Sequence, residues 1–290
     1  MDVVVESPPE PAHPGPAVLS TALDAVVAGP IRHGSVLTST RFASYLVLDG
    51  DLDPQVVALV SPEAVRLPIA AQVQSLPELE PMAPAQVGGG LIAAGGHRWR
   101  PARWWDPRPR LDRAGLQAHG WRLAAVVAAE PASAYGVAPD TASAAVAALV
   151  WDDPAPALAL LGSGPGLTPA GDDVVSGALA ALALLDRLPR AAAAALASAA
   201  RSRTTSLSAT LLVAATRGQV VPQAARTLRA LARGEDADAV SAAARELFAV
   251  GSTSGHDLAL GLAAALTASR GPTTPTRVTA REVVHAQEAI

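Results

Sequence analysis

A glycine- and proline-rich loop leads directly into two adjacent aspartates. The stretch 162–177 reads GSGPGLTPAGDDVVSG, and an apolar run begins at Val174. Glycine and proline favour a loop, whereas the residues that follow favour a helix. The amides around Gly171, Asp172 and Asp173 are therefore expected to be unpaired donors at a helix start. One aspartate would suffice as a cap, so the second carboxylate favours a binding site, with a simple cap as the alternative.

A second stretch near the C-terminal end repeats this arrangement. Residues 251–261 read GSTSGHDLALG, and both stretches contain G-x-D-x-x-x-G, with Asp173 and Asp257 in the shared position. The last glycine of each pattern, Gly177 or Gly261, lies about one helical turn after its aspartate, on the same face. We expect the two helices to pack at these glycines, which brings both aspartates to one site. Two unrelated capped helices are the alternative.

An arginine lies beside several hydroxyl residues in the longest alanine-rich segment, in the sequence ARSRTTSLSATLL. Arg203 with Thr204 and Thr205 is suited to hold a carboxylate or phosphate, because arginine donates a fork of hydrogen bonds and threonine adds hydroxyls. In the alternative interpretation, the hydroxyls bond to helix carbonyls or face water.

Carboxylates beside free amides can serve two kinds of chemistry. Either Mg²⁺ binds Asp172, Asp173 and Asp257 and bridges them to an anionic substrate, or these aspartates accept hydrogen bonds from N–H groups of the substrate. The first arrangement favours a metal-dependent hydrolase that acts on a phosphate or glycosidic bond. The chain has no cysteine and no lysine, which excludes a thiol or Schiff-base nucleophile.

The motifs GPGLTPAGDD, Arg-Thr-Thr and STSGHD together resemble the third subunit of bacterial oxamate carbamoyltransferase, the AllH-like family, in which many members have no assigned function. The similarity extends from about Gly29 to Arg270, and the first motif is the specific one. The chain departs from the commoner family form at Ala170, where the family has Ser, and at His256, where it has a small or hydroxyl residue.

This resemblance implies a carbamoyltransferase, or a subunit of one, that interconverts oxalurate plus phosphate with oxamate plus carbamoyl phosphate. Phosphate would attack the carbamoyl carbon directly, with a nest of amides at Gly164 to Gly166 stabilising the oxyanion. The aspartates would orient the carbamoyl group or a metal, and Arg203 would hold the carboxylate or phosphate. The expected site residues are Asp172, Asp173, Asp257 and Arg203 for catalysis, and Gly164, Gly166, Thr168, Gly171, Thr204, Thr205, Thr253, Ser254 and Gly255 for substrate binding.

The expected partners are a small anionic substrate and either other carbamoyltransferase subunits or further copies of the chain. A non-catalytic substrate-binding or scaffold subunit is a further alternative, because the resembled activity is shared among polypeptides. No cofactor is implied apart from the Mg²⁺ of the metal alternative.

Charge and hydropathy exclude several other classes of protein. A net charge of -4 and a pI near 5.9 give no general attraction to nucleic acid or to an anionic membrane. The apolar stretches 174–185 and 258–269 are too short to cross a bilayer, which takes about 20 residues. Residues 1–16 hold acids and prolines where a secretion signal would be basic and apolar. With the absence of cysteine, this predicts a cytoplasmic protein.

The sequence predicts an α+β fold in four parts: a tail and short helix at 1–28, a small β barrel or sandwich at 29–110, an alanine-rich α-helical domain carrying the glycine-loop site at 111–270, and a second tail at 271–290. An outer strand is also expected in GGHRWRPARWW, whose arginines and tryptophans face water and the next domain or form a subunit contact. The other strands are expected at 35–37, 45–48, 56–60, 64–67 and 90–94. About seven helices are expected at 111–129, 141–150, 174–185, 191–216, 222–232, 238–248 and 257–268.

Overall fold

The structure, a computed structural model, describes residues 13–270, and the first part of this segment is a closed β barrel. Its strands are β1 (Gly15–Ser20), β2 (Arg32–Ser39), β3 (Ala43–Leu48), β4 (Val56–Val60), β5 (Ala70–Val73), β6 (Pro84–Gly88), β7 (Leu91–Ala94) and β8 (His97–Trp105). They close in the order β1-β5-β4-β3-β2-β6-β7-β8. The β1–β8 and β4–β5 pairs are parallel, and the other pairs are antiparallel. The predicted β domain is therefore a barrel and not a sandwich.

The barrel encloses its own core, in which aliphatic side chains surround Trp99. Strand β4 is buried on both faces: Val57 and Leu59 lie in the barrel core, Ala58 and Val60 pack with residues of the neighbouring strands and of the 64–67 segment, and α8 also contacts the strand. This double burial explains the uninterrupted apolar sequence VVALV, since a strand with one wet face would alternate apolar and polar residues.

Two of the sequence expectations for the barrel were wrong. Gly15–Ser20, which fell within the expected tail, is strand β1 and pairs with β5 and β8. The strand expected at 64–67 is not formed, and the next strand begins at Ala70. Pro62 and Pro68 flank that segment, and proline lacks the N–H group that a strand pairing needs.

The second part of the described chain is helical. A short helix α1 (Asp24–Ala28) lies between β1 and β2. The helices after the barrel are α2 (Arg113–His119), α3 (Arg122–Ala128), α4 (Pro139–Val150), α5 (Ala155–Leu160), α6 (Ala170–Leu184), α7 (Arg190–Arg203), α8 (Ser206–Thr216), α9 (Pro222–Ala232), α10 (Ala237–Phe248) and α11 (Ser254–Ala268).

The helical part differs from the expectation mainly in its breaks. The helix expected at 111–129 is divided into α2 and α3 at Gly120, and the helix expected at 191–216 is divided into α7 and α8 at Thr204 and Thr205. Helix α5 was not expected. None of the helices within residues 13–270 combines the length and hydropathy that crossing a membrane requires. The tail expected at 271–290 lies outside the described residues.

Candidate functional site

Helices α6 and α11 pack against each other through the last glycines of the repeated pattern. A Cβ atom at Gly177 would overlap the carbonyl oxygen of Leu258, and one at Gly261 would overlap the carbonyl oxygen of Val174. Each helix therefore presses its glycine onto the backbone of the other, which no larger residue would permit. The predicted packing of the two helices at these glycines is confirmed.

The starts of the two helices also lie together. The hydroxyls of Thr168, just before α6, and Ser254, the first residue of α11, are 3.2 Å apart. The first glycines of the pattern do not face a ligand. A Cβ atom at Gly171 or Gly255 would overlap a carbonyl oxygen of the preceding helix, so both glycines serve close backbone packing.

Asp172 is fully buried, and its carboxylate is occupied by protein donors. It accepts hydrogen bonds from the amide of Gly162 at 2.8 Å, from the hydroxyl of Ser208 at 2.7 Å and from the hydroxyl of Thr204. These donors belong to the glycine loop and to the α7–α8 junction. Asp172 therefore fixes the loop and the junction to α6.

Asp257 is also fully buried and serves a second loop. Its carboxylate accepts hydrogen bonds from the amides of Gly136, at 3.0 Å, and Val137, at 3.3 Å, which precede α4. Burial raises the pKa of Asp257, whereas the hydroxyl of Thr253 and these two amides lower it in part. Asp257 therefore holds the segment before α4 against the start of α11.

Asp173 differs from both neighbours because its Oδ2 atom is buried without a hydrogen-bond partner among the described residues. The pKa of Asp173 is raised to about 8, because burial and the nearby charges of Asp257 and Asp172 raise it more than a hydrogen bond with the Ser254 side chain lowers it. The expected pair Asp173 and Asp257 thus interacts electrostatically, but of the two only Asp173 has a buried oxygen without a hydrogen-bond partner among the described residues.

Asp173 lines a cavity of about 560 Å³ between the barrel and the helices. Three of the expected site residues line it, namely Thr168, Asp173 and Ser254. The charged residues among the described lining are Asp173 and Glu63, and the wall is otherwise mostly aliphatic. The arrangement suits hydrogen bonding to N–H groups of a ligand, because a carboxyl with an open oxygen lies in apolar surroundings.

The Arg-Thr-Thr segment does not line this cavity, contrary to the expected grip on an anion. The guanidinium of Arg203 is exposed and donates to the carbonyl oxygen of Leu158 at 3.1 Å. Thr204 donates to Asp172, whereas Thr205 caps α8 by accepting from the amide of Ser208 at 3.0 Å. The segment joins two helices and supports the glycine loop.

The expected oxyanion nest lies on the surface, outside the cavity. Gly164 and Gly166 are exposed and have positive φ angles of 113° and 93°. No atom lies within 4 Å of where a Cβ of Gly166 would be. These angles need glycine, so the loop shape explains both residues without a bound group.

The expected metal ligands do not form a metal site. Among residues 13–270, no three His, Asp or Glu side chains are grouped so that they fit a metal ion. The carboxylates of Asp172 and Asp257 are already taken by amides and hydroxyls.

Several cavity residues were not expected from the sequence. Ser176 lies three residues after Asp173 on α6, so helical periodicity alone places it on the same face. Tyr45 comes from the barrel and Gln219 from the turn between α8 and α9, and nothing in the local sequence links either to the glycine loop.

Comparison with known proteins gives one match. The sequence model of the family described as oxamate carbamoyltransferase subunit AllH matches residues 160–266. No curated protein and no solved structure matches the chain. The match covers the glycine loop, both helices of the repeated pattern and the Arg-Thr-Thr junction, but not the barrel. Residues 160–266 are therefore similar to the oxamate carbamoyltransferase subunit AllH family, which supports the resemblance that the motifs indicated.

Proposed function

We propose that this chain is a subunit of a carbamoyltransferase and that Asp173 holds the amide that gives or takes the carbamoyl group. In the reaction that the resemblance implies, oxalurate and phosphate interconvert with oxamate and carbamoyl phosphate, and the family description names an oxamate carbamoyltransferase subunit. The observation that carries the proposal concerns Asp173, which lies in the matched segment and lines the cavity: its Oδ2 atom is buried without a hydrogen-bond partner among the described residues.

The reaction needs a proton at the amide nitrogen. When a phosphate oxygen attacks the carbamoyl carbon of oxalurate, the bond from that carbon to the amide nitrogen breaks, and the nitrogen takes up a proton. In the reverse direction the amide nitrogen attacks carbamoyl phosphate, phosphate leaves, and the proton is released. With a pKa of about 8, the carboxyl of Asp173 holds a proton near neutral pH and exchanges it with an adjacent nitrogen.

The chain offers little to hold phosphate in the same place. No arginine or histidine is among the described residues that line the cavity, and Arg203 bonds to a backbone carbonyl elsewhere. Phosphate recognition usually uses cationic side chains or free amides. We therefore propose that another subunit supplies the phosphate-holding groups, which agrees with the word subunit in the family description.

The test is an assay of phosphate release from carbamoyl phosphate with an acceptor amide, oxamate or an uncharged aliphatic amide, using the isolated chain and the chain with its co-purified partner subunits. We expect activity only with the partners, and a loss of 10²- to 10⁴-fold, as an order of magnitude, for Asp173→Asn. Asp140→Asn is the matched control, because Asp140 lies exposed in the first turn of α4. An unchanged rate in correctly folded Asp173→Asn would remove Asp173 from the reaction.

A further inference from the structure

The cavity at Asp173 is much larger than a carbamoyl group requires. Its volume of about 560 Å³ lies in the range of roughly 300–1,000 Å³ that is common for pockets holding drug-sized ligands. Oxamate would fill only a small part of this space. The rest of the cavity would hold either ordered water or a larger ligand. The residues that line the cavity indicate which of the two it suits.

One wall is an apolar stripe along α8. Leu207, Leu211 and Ala215 line the cavity at intervals of four residues, so they lie on one face of the helix. With a rise of about 1.5 Å per residue, this stripe is about 12 Å long. Tyr45, Val65 and Leu67 lie across the same cavity on the barrel side. Water between such walls would find few hydrogen-bond partners, so an apolar ligand is favoured.

The described lining of the cavity supplies no positive charge for a small acid. Glu63 and Asp173 are its ionisable residues, and neither gives the cation that a buried carboxylate needs. A carboxylate moved from water into these surroundings would lose hydration without gaining a cation. By contrast, an uncharged amide gives N–H groups to Asp173. Gln219, in the turn after α8, also lines the cavity, and its side-chain oxygen is buried without a partner among the described residues, so it is a second acceptor for an N–H group.

We infer that the amide substrate of this site carries an extended apolar group in the place of the carboxylate of oxamate. This inference rests on the proposed function. The amide nitrogen of the substrate attacks the carbonyl carbon of carbamoyl phosphate, the bond from that carbon to the phosphate oxygen breaks, and the amide proton leaves with phosphate. The product is the N-carbamoyl derivative of the apolar amide.

The experiment measures binding of a series of amides to the full chain by calorimetry at pH 7. The probes are acetamide, butyramide and hexanamide, with hexanoate and oxamate as charged comparisons. We expect affinity to rise by about fourfold per methylene group, and hexanoate and oxamate to bind more weakly than hexanamide. Equal affinities along the series, or tighter binding of oxamate than of hexanamide, would overturn the inference.

Cavity-filling variants locate the binding. Leu211→Trp fills the α8 side of the cavity and Val65→Trp fills the barrel side. Each is therefore expected to abolish the increase in affinity that a longer aliphatic chain on the amide gives. Val213→Trp, on the same helix but not among the lining residues, is the matched control. If one filling variant does not fold, the other gives the result. A chain-length gain that persists in a folded filling variant would place the apolar group elsewhere and contradict the inference.

The same compounds separate this inference from the proposed function. If hexanamide binds tightly but is not carbamoylated in the presence of the partner subunits, the proposed reaction is refuted and the inferred class of ligand still holds. If oxamate is carbamoylated but hexanamide is not, the inferred class of ligand is refuted and the proposed reaction still holds.

Discussion

Three aspartates lie at two adjoining helix starts, and their hydrogen-bond partners give them different tasks. Asp172 and Asp257 each accept from amides or hydroxyls of neighbouring loops, so their carboxylates hold the backbone in place. Asp173 alone of the three has a buried oxygen without a partner among the described residues. A ligand in the cavity can therefore compete for Asp173 without first breaking a hydrogen bond of the fold.

The raised pKa of Asp173 predicts how stability depends on pH. Between the ordinary aspartate pKa of 3.8 and about 8, the folded chain holds a proton that the unfolded chain has released. Rising pH therefore lowers the free energy of unfolding across this window, by at most about 1.4 kcal/mol per pH unit. Below the window both states are protonated, and above it both are ionised, so this dependence disappears at either end.

Asp173→Asn removes this titration, so the variant should gain stability relative to the wild type as the pH rises from 5 to 8. Denaturant unfolding of both proteins at several pH values measures the difference. Asp140→Asn should follow the wild type, because Asp140 is exposed. A difference between wild type and Asp173→Asn that stays constant with pH would show that Asp173 ionises normally.

Asp172 gives a prediction about hydrogen bonding. Asp172→Ala leaves the amide of Gly162 and the hydroxyls of Thr204 and Ser208 without their acceptor, which should cost roughly 2–5 kcal/mol of unfolding free energy. Asp172→Asn keeps one oxygen and adds an NH₂ group, which can donate hydrogen bonds to the two hydroxyls. We therefore expect it to lower the free energy of unfolding by only about 1 kcal/mol. Denaturant unfolding distinguishes them, and equal losses would contradict this account of the carboxylate.

The sequence identified these aspartates but not the difference between them. Their helix starts were evident from the loop and the apolar run that follows. The groups that occupy Asp172 and Asp257 come from distant segments, the α7–α8 junction and the turn at Gly136, which local sequence does not connect to the site. For the same reason Arg203 was assigned to a ligand, although its partner is a nearby helix carbonyl.

The contact between α6 and α11 gives a prediction opposite to helix propensity. In an open helix, Gly→Ala stabilises by up to about 1 kcal/mol. At Gly177 or Gly261 the new Cβ atom would overlap the backbone of the other helix, so Gly177→Ala and Gly261→Ala should each destabilise by about 1–3 kcal/mol.

The matched control for these variants is Gly15→Ala, where the new Cβ would make an ordinary contact with Trp99 at 3.5 Å. Thermal unfolding of all three variants compares them directly. An increase in stability for Gly177→Ala or Gly261→Ala would mean that the backbones of α6 and α11 are not in contact at these glycines.

The positions of most helices followed from the sequence, because an apolar run between Gly and Pro residues is a local signal of a helix. The breaks were harder to predict. Thr204 and Thr205 interrupt an alanine-rich run without Gly or Pro, and the break is stabilised by the cap of α8 and by Asp172. The strand expected at 64–67 does not form, and pairing with β4 starts only at Ala70, after Pro68.

The barrel and the helices have separate cores that meet at α8. Leu207 of α8 is buried in the barrel core, whereas Leu196 of α7 is buried in the helical core. Leu207→Ala and Leu196→Ala should each cost about 2–5 kcal/mol, since both remove a fully enclosed side chain.

Hydrogen exchange should tell these two variants apart. Leu207→Ala is expected to accelerate amide exchange in β4, because β4 packs against α8. Leu196→Ala is expected to accelerate exchange in the helices more than in β4. Equal acceleration of β4 exchange in both variants would indicate that the barrel and helices open as one unit.

The closure of the barrel depends on pairings that local patterns do not reveal. The α+β class and the order of the two parts followed from the change from short Val- and Ile-rich runs to long alanine-rich ones. Closure requires β1, at one end of the barrel segment, to pair with β8 at the other end. No local pattern reports such a pairing, so Gly15–Ser20 was assigned to a tail and the barrel could not be separated from a sandwich.

The reciprocal glycines of α6 and α11 also bear on how this protein can diverge. Main chain touches main chain at that crossing, so the spacing of the two helix starts is independent of which aliphatic residues fill the bundle around them. Lineages of this chain can exchange Ala, Val and Leu throughout the helical core, and reshape the barrel wall to suit new ligands, while the carboxyl of Asp173 keeps its position.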